Sequence, residues 1–187
     1  TLGVTQNLGT ADISNSGKLL LNAQDNMEFT NKVAGNGIIS VGAGNVALLG
    51  DNTSFKGKIN VESGAVATVS DQKNLGSAGL SVDGKLQLNS TSDWLFSHQI
   101  SGSGILGVDT GNHAFSFKNS AATSGFTGAL ALQNTTFNLQ GTNTDALAKA
   151  GLIAGKGSEI SLGTGTQSIG SLAFSGGTIE FGNITPG

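Results

Sequence analysis

Lys18-Leu19-Leu20-Leu21-Asn22 returns further along the chain as Lys85-Leu86-Gln87-Leu88-Asn89, and Gly35-Asn36-Gly37-Ile38-Ile39-Ser40-Val41 returns as Gly102-Ser103-Gly104-Ile105-Leu106-Gly107-Val108. In both stretches aliphatic residues alternate with polar or small ones, as in a strand buried on one face. Worked outward, residues 7–52 lie on 74–119 without a gap, and 19 of the 46 positions are identical. Four extra residues at 120–123 interrupt the match, which resumes with Phe55/Phe126, Gly57/Gly128, Ile59/Leu130 and Val61/Leu132. A repeat of this strength is read before any single element, because it governs the whole architecture.

A shorter period lies inside the long one. Ile13, Ile39, Ile59, Leu80, Leu106, Leu130, Leu152 and Leu172 each centre a short alternating segment, with steps of 20 to 26. A second series opens at Gly17, Gly44, Gly64, Gly84, Gly111, Asn134, Gly157 and Gly177, with steps of 20 to 27. Gly, Asn, Asp and Ser fill the spaces between, residues that accept tight turns. The one helix signal is Thr144 to Ala150, stopped by Gly151. Hairpins of an antiparallel sandwich have no reason to place Ile or Leu at one phase in eight successive units, whereas stacked coils superimpose like on like. The expected fold is all-β: a right-handed parallel β-helix, a solenoid of the pectin-lyase-like kind, with about eight coils of 20–27 residues. The eight aliphatics should form one interior column. Phe55, Leu75, Phe126, Leu147 and Ile169, with Met27, Phe29, Trp94 and Phe96, supply further inward anchors.

Composition agrees. Thirty glycines, 21 Ser, 18 Thr and 17 Asn make nearly half of the 187 residues small and turn-compatible, yet 37% are hydrophobic and the formal charge is only −3. Such a chain folds rather than staying disordered. All nine basic residues are lysine, so there is no guanidinium to grip phosphate, no basic run, and no expectation of nucleic acid as a partner. Without cysteine there is no disulfide framework or thiol nucleophile. No apolar stretch reaches membrane-spanning length, and the first residues do not read as a charged n-region followed by an apolar segment. The expected organisation is one β-helical segment over 1–187, with repeat copies at about 7–73 and 74–145 and a partial copy at 146–187.

Gly35-Asn36-Gly37-Ile38, Gly44-Asn45, Gly50-Asp51-Asn52, Phe55-Lys56-Gly57, Ile59, Val61, Gly64 and Val66 resemble the autotransporter-associated β-strand repeat. So do Gly102-Ser103-Gly104-Ile105, Gly111-Asn112, Asn119, Phe126-Thr127-Gly128, Leu130, Leu132 and Phe137, and a last stretch from Ile169 to Ile179. The resemblance covers most of the chain. It implies a passenger-domain fragment of a Gram-negative autotransporter, exported by type V secretion. The partner it implies is the protein's own C-terminal outer-membrane β-barrel, which this sequence lacks, and the implied location is the cell surface or extracellular space, tethered to the outer membrane or released. The chain departs from the commonest wording at 120–123, where a turn is lengthened.

Catalytic residues are not expected, nor are cofactor or metal ligands. There is no GxSxG, Walker loop, HExxH or calcium repeat. His113 shares the inward phase of Phe115 and Phe117 and reads as a residue at the core's edge; His98 reads as part of a polar turn. Asn143-Thr144-Asp145 is similar to a tripeptide of polygalacturonases, but a glycosidase needs a second carboxylate in the same groove, so Asp145 reads as a turn cap. Thr142 and Thr144 repeat as Thr164 and Thr166, too few ranks for an ice-binding face.

The outward position of the first series reads Ser14, Ser40, Asn60, Ser81, Gly107, Ala131, Ile153 and Ala173. Polar character yields to small apolar character, which suggests a contact surface at Ala131, Ile153 and Ala173; the alternative is a lone exposed aliphatic at Ile153, common on any protein surface. The expected function is the structural stalk of a surface adhesin or autoaggregation protein, not an enzyme, touching a host receptor, matrix or identical chains. The alternatives are a scaffold for a catalytic or toxic module outside the fragment and a polysaccharide-processing β-helix enzyme.

Overall fold

The computed structural model describes residues 9–163 and 165–181. It is a parallel β-solenoid of about eight turns, in which every pairing between named strands is parallel. Each turn has three sides. Side A stacks residues 18–21, 38–41, 58–61, 79–82, 100–102 and 125–126. Side B follows through 26–29, 45–48, 66–69, 85–88, 105–108, 129–132, 151–154 and 171–174. Side C begins as the two-residue strands Ile13–Ser14 and Val33–Ala34, then widens into 94–96, 115–117, 135–139, 159–162 and 178–181.

Strand alternation works as the sequence predicts. Leu19, Ile39, Ile59, Leu80 and Ile100 lie in register inside side A, all buried. The single column expected from Ile13 to Leu172, however, is divided among the three sides. Leu106, Leu130 and Leu152 stack on Leu86, Ala67, Val46 and Met27 inside side B, Leu172 continues their register but is exposed at the last described strand of that side, and Ile13 faces Val33 on side C. The reason is arithmetic on the coil. Three turns carry Ile39 through Ile59 and Leu80 to Ile100, and a short further stretch of chain reaches Leu106 on the next side. The long repeat is therefore three turns plus one side. Paired residues lie 19 to 24 apart, so the expected steps of 26 and 27 are passages from one side to the next.

Glycine columns turn the corners, and they too move round by one side. A Cβ on Gly37 would collide with the Gly17 carbonyl oxygen, and one on Gly57 with that of Gly37. In the second copy a Cβ on Gly104 would strike Gly84 and one on Gly128 would strike Gly104, again at the carbonyl oxygen. Backbones approach there more closely than any side chain permits.

The anchors expected in the connections are buried: Phe29, Phe55, Leu75, Phe96 and Leu147 are sealed from solvent, and Met27, Trp94 and Phe126 nearly so, while Ile169 is partly buried. Fully burying one such Phe or Leu contributes about 1.5–3 kcal/mol. Side C of the later turns is an aromatic stack, with Phe117 edge-on to Phe96 at 5.8 Å and to Phe137 at 6.0 Å. The helix expected at 144–150 does not form. A 3₁₀ turn at Gly141–Asn143 leads instead into the strand Leu147–Gly155, because Leu147 fills the interior between neighbouring turns. The four extra residues form a second 3₁₀ turn, Ser120–Thr123, capped by the Asn119 side chain accepting the Ala122 N–H at 3.1 Å.

Candidate functional site

Ala131, Ile153 and Ala173 do come together. Ala131 pairs with Ile153 and Ile153 with Ala173, so the three point outward on side B from successive turns. The polar half of the expected series belongs elsewhere. Ser40, Asn60 and Ser81 lie in register on side A, and Ser14 is on side C. Ser40 is buried and donates to the Glu62 carboxylate at 2.7 Å. On side B itself the outward strip runs Thr68, Gln87, Gly107, Ala131, Ile153, Ala173, which still loses polarity along the rod.

A shallow cavity of about 270 Å³ lies on this strip. Gly107, Ala131 and Ile153 form its floor, with Lys85, Gln87, Gln133 and Lys156 around it. The missing side chain at Gly107 makes room for the Gln87 amide and the Lys85 stem, both of which a Cβ there would meet. An aliphatic floor ringed by ammonium and amide donors is suited to contact.

Side C carries a second cavity of about 300 Å³, lined by Thr136, Glu159, Ile160, Ser161, Thr178 and Glu180. Glu159 pairs with Thr178 and Ser161 with Glu180, which sets the two carboxylates diagonally on adjacent turns. Sequence reasoning expected no such pair. The two glutamates are a full turn apart along the chain, and their convergence depends on the length of that turn. Asp145 has no part in it: it is exposed, and its backbone carbonyl receives the Ala148 N–H. Thr164 and the Thr142 side chain lie outside the described residues. No group of three or more His, Asp or Glu among the described residues could hold a metal.

The histidines exchange their expected places. His113 is half exposed, with Nδ1 3.7 Å from the Asp93 carboxylate, because Gly111 and Asn112 turn the chain through positive φ and shift its phase. His98 is buried, its Nε2–H donating to the Gly76 carbonyl at 2.9 Å and its ring 5.6 Å from that of Phe96. Burial pushes its imidazole below the ordinary range, against a smaller opposing pull from the Gly76 carbonyl. Asp51 is held below the usual carboxylate range by the Thr53 hydroxyl, which donates at 2.9 Å, and then by the Thr53 N–H.

Buried asparagines line one corner of the first turns. Asn31 donates to the Gly9 and Ala11 carbonyls at 3.0 and 2.9 Å. Asn52 accepts from Val33 N–H at 2.8 Å and donates to the Asn74 carbonyl at 2.7 Å, and Asn74 donates to the Gly50 carbonyl at 3.0 Å. These satisfy corner carbonyls and amides that would otherwise be buried alone.

No family model matches the chain, and no solved structure matches it. Two curated Escherichia coli K12 proteins are similar. The uncharacterized protein YuaQ is 44% identical over 167 residues, which is 87% of this chain and 12% of YuaQ. The uncharacterized lipoprotein YdeK is 40% identical over 105 residues, 56% of this chain and 8% of YdeK. The chain thus spans about a tenth of the length of either relative, and what it shares with them is a short section of a much longer polypeptide.

Proposed function

We propose that this chain is a section of the stalk of a bacterial surface adhesin or autoaggregation protein, a passenger of the autotransporter type carried by its own outer-membrane β-barrel. The observation that carries the reading is the continuity of side B. Its strands stack in one register through eight turns. Stability in such a rod comes from neighbour stacking, so length is gained without a new core. Two long E. coli relatives support a rod continued well past this section, and the name of one, a lipoprotein, supports a place in the cell envelope. Contacts with a receptor, matrix or identical chain fall to the outward strips, side B's Ala131, Ile153 and Ala173 first among them.

The test uses the full-length precursor on cells. Ile153→Asp should lower cell aggregation or adhesion while protease shaving still releases the passenger from the surface. Unchanged aggregation and adhesion, both for Ile153→Asp and for a precursor lacking the whole section, would overturn the reading. A polysaccharide-processing role draws on Glu159 and Glu180 alone. It requires turnover of a glycan by the chain that Glu159→Gln and Glu180→Gln each abolish.

A further inference from the structure

The ladder of buried asparagines has a second flight, and its first rung is a histidine. Asn31, Asn52 and Asn74 sit at the corner between sides B and C. Moved on by one long repeat, Asn31 becomes His98 and Asn52 becomes Asn119, both at the corner between sides C and A. Two of the carbonyl bonds move by the same step, although Asn119 accepts from the Ala122 N–H in place of the bonds made by Asn52. Asn31 donates to the Gly9 carbonyl and His98 to the carbonyl of Gly76, which is the repeat equivalent of Gly9. Asn74 donates to the Gly50 carbonyl, and Asn143 to that of Phe117, the equivalent of Gly50, at 2.7 Å.

The replacement is incomplete. The Asn31 amide reaches two carbonyls, whereas His98 reaches one, and its Nδ1 is buried with no partner. Because Nε2 donates to a carbonyl, it carries the proton in the neutral ring, and Nδ1 is the site left to titrate. Phe96 faces the ring from its own strand, and Gly76, Ser77, Ala78, Gly79, Ser97 and Gln99 share its cavity. The Ser120–Thr123 turn packed over the next strand, Ile100–Gly102, holds no titratable side chain. No charged group contributes to the imidazole's displacement, which burial and the Gly76 carbonyl set between them. The Gly76 carbonyl favours the cation, but its pull is smaller than the cost of burial.

We propose that His98 is an acid-sensitive rung: protonation at Nδ1 places an unpaired charge inside the coil and opens the corner where side C passes to side A. The asparagines at the other rungs have no charge state to change, so this corner alone responds. The direction follows from linkage. An imidazole whose folded value lies below its unfolded value of about 6.5 leaves stability complete above that pH, and stability is lost as pH falls from there through the folded value.

The test is made on the 187-residue chain in a His113→Asn background, which leaves one imidazole to observe. His98→Asn restores the residue of the first flight and should fold. Between pH 7.5 and 5.5 the His98 protein should lose unfolding midpoint, and His98→Asn should lose less. The Leu80 amide, which donates to the Gln99 carbonyl at 2.8 Å beside the rung, reports the opening. Its hydrogen exchange, corrected for intrinsic rate, should quicken by about tenfold for each pH unit passed between the two imidazole values, and only with histidine present. The imidazole's own NMR titration, read without any change at position 98, should fall below 6.5. Parallel pH profiles for the two proteins, or an imidazole that titrates at or above 6.5, would overturn the proposal.

Discussion

Residues 9–52 and 76–119 belong to two copies of one sequence placed on different sides of one rod. Ile39 and Leu106 are equivalent in the repeat, yet Ile39 lies inside side A and Leu106 inside side B. Gly37 and Gly104 make the same close approach at successive corners. The corner asparagines follow the same step. A triangular coil tolerates this because each residue's axial neighbour is 19 to 24 positions away and all three sides ask for the same inward aliphatic. Equivalence in sequence is thus equivalence of environment, and place on the rod advances by a third of a turn.

The copies differ in ring packing at Phe29 and Phe96. Both are fully buried, but Phe96 has the rings of Phe115 and Phe117 at 6.1 and 5.8 Å, whereas Phe29 has no ring neighbour among the described residues. Phe96→Ala should cost about 3–5 kcal/mol as a core cavity. It should exceed Phe29→Ala by about 0.5–1.5 kcal/mol for each aromatic pair lost. Denaturant unfolding of both variants measures the gap, and equal losses would mean that the phenylalanine stack adds nothing beyond its volume.

Next come the rungs. Asn52→Ala strands the Val33 N–H and the Asn74 carbonyl, each buried, at about 1–3 kcal/mol apiece. Its equivalent Asn119 is half exposed and caps a short turn through one bond, so Asn119→Ala should cost about 0.5–2 kcal/mol. A loss at Asn119 equal to that at Asn52 would show the second flight to be as tightly sealed as the first.

The corner glycines sharpen the likeness rather than the difference. Gly37→Ala and Gly104→Ala should lower the unfolding midpoint by similar amounts, about 1–3 kcal/mol of overpacking. Gly79→Ala, where a Cβ meets nothing within 4 Å, should leave it unmoved. A silent Gly104→Ala would disprove the close packing of the second corner.

The smallest difference is expected between two deletions of about three turns. Deleting residues 39–105 joins Ile38 to Leu106, which then lies over Leu19 as it lay over Leu86. The shortened rod should unfold as cooperatively as the parent, with every later side turned by one third. A deletion of 39–99 removes three whole turns and preserves the sides, but it joins unlike parts of the repeat and should be the less stable of the two. Calorimetry on both separates the alternatives, and the reverse order would mean that side, not local sequence, is what each residue is fitted to.

Alternation is local, so the sequence by itself determined which aliphatics of most strands face inward, that the strands are short, and that they stack as parallel coils. Lys85-Leu86-Gln87-Leu88 can be read without knowing anything a turn away. The side a residue occupies is a running total of every strand and corner before it, and corners change length: the turn from Val66 to Lys85 is shorter than the turn from Ser101 to Gly125. That is why Ile39 and Leu106 read as one column, why Ser40 reads as surface although it lies buried against Glu62, and why Glu159 and Glu180 give no sign in the sequence that they share a cavity. His98 shows the same limit at one residue. Its chemistry was plain in the sequence, but only the stacking of Gly76 against it decided that the ring is inside and that one of its nitrogens has no partner.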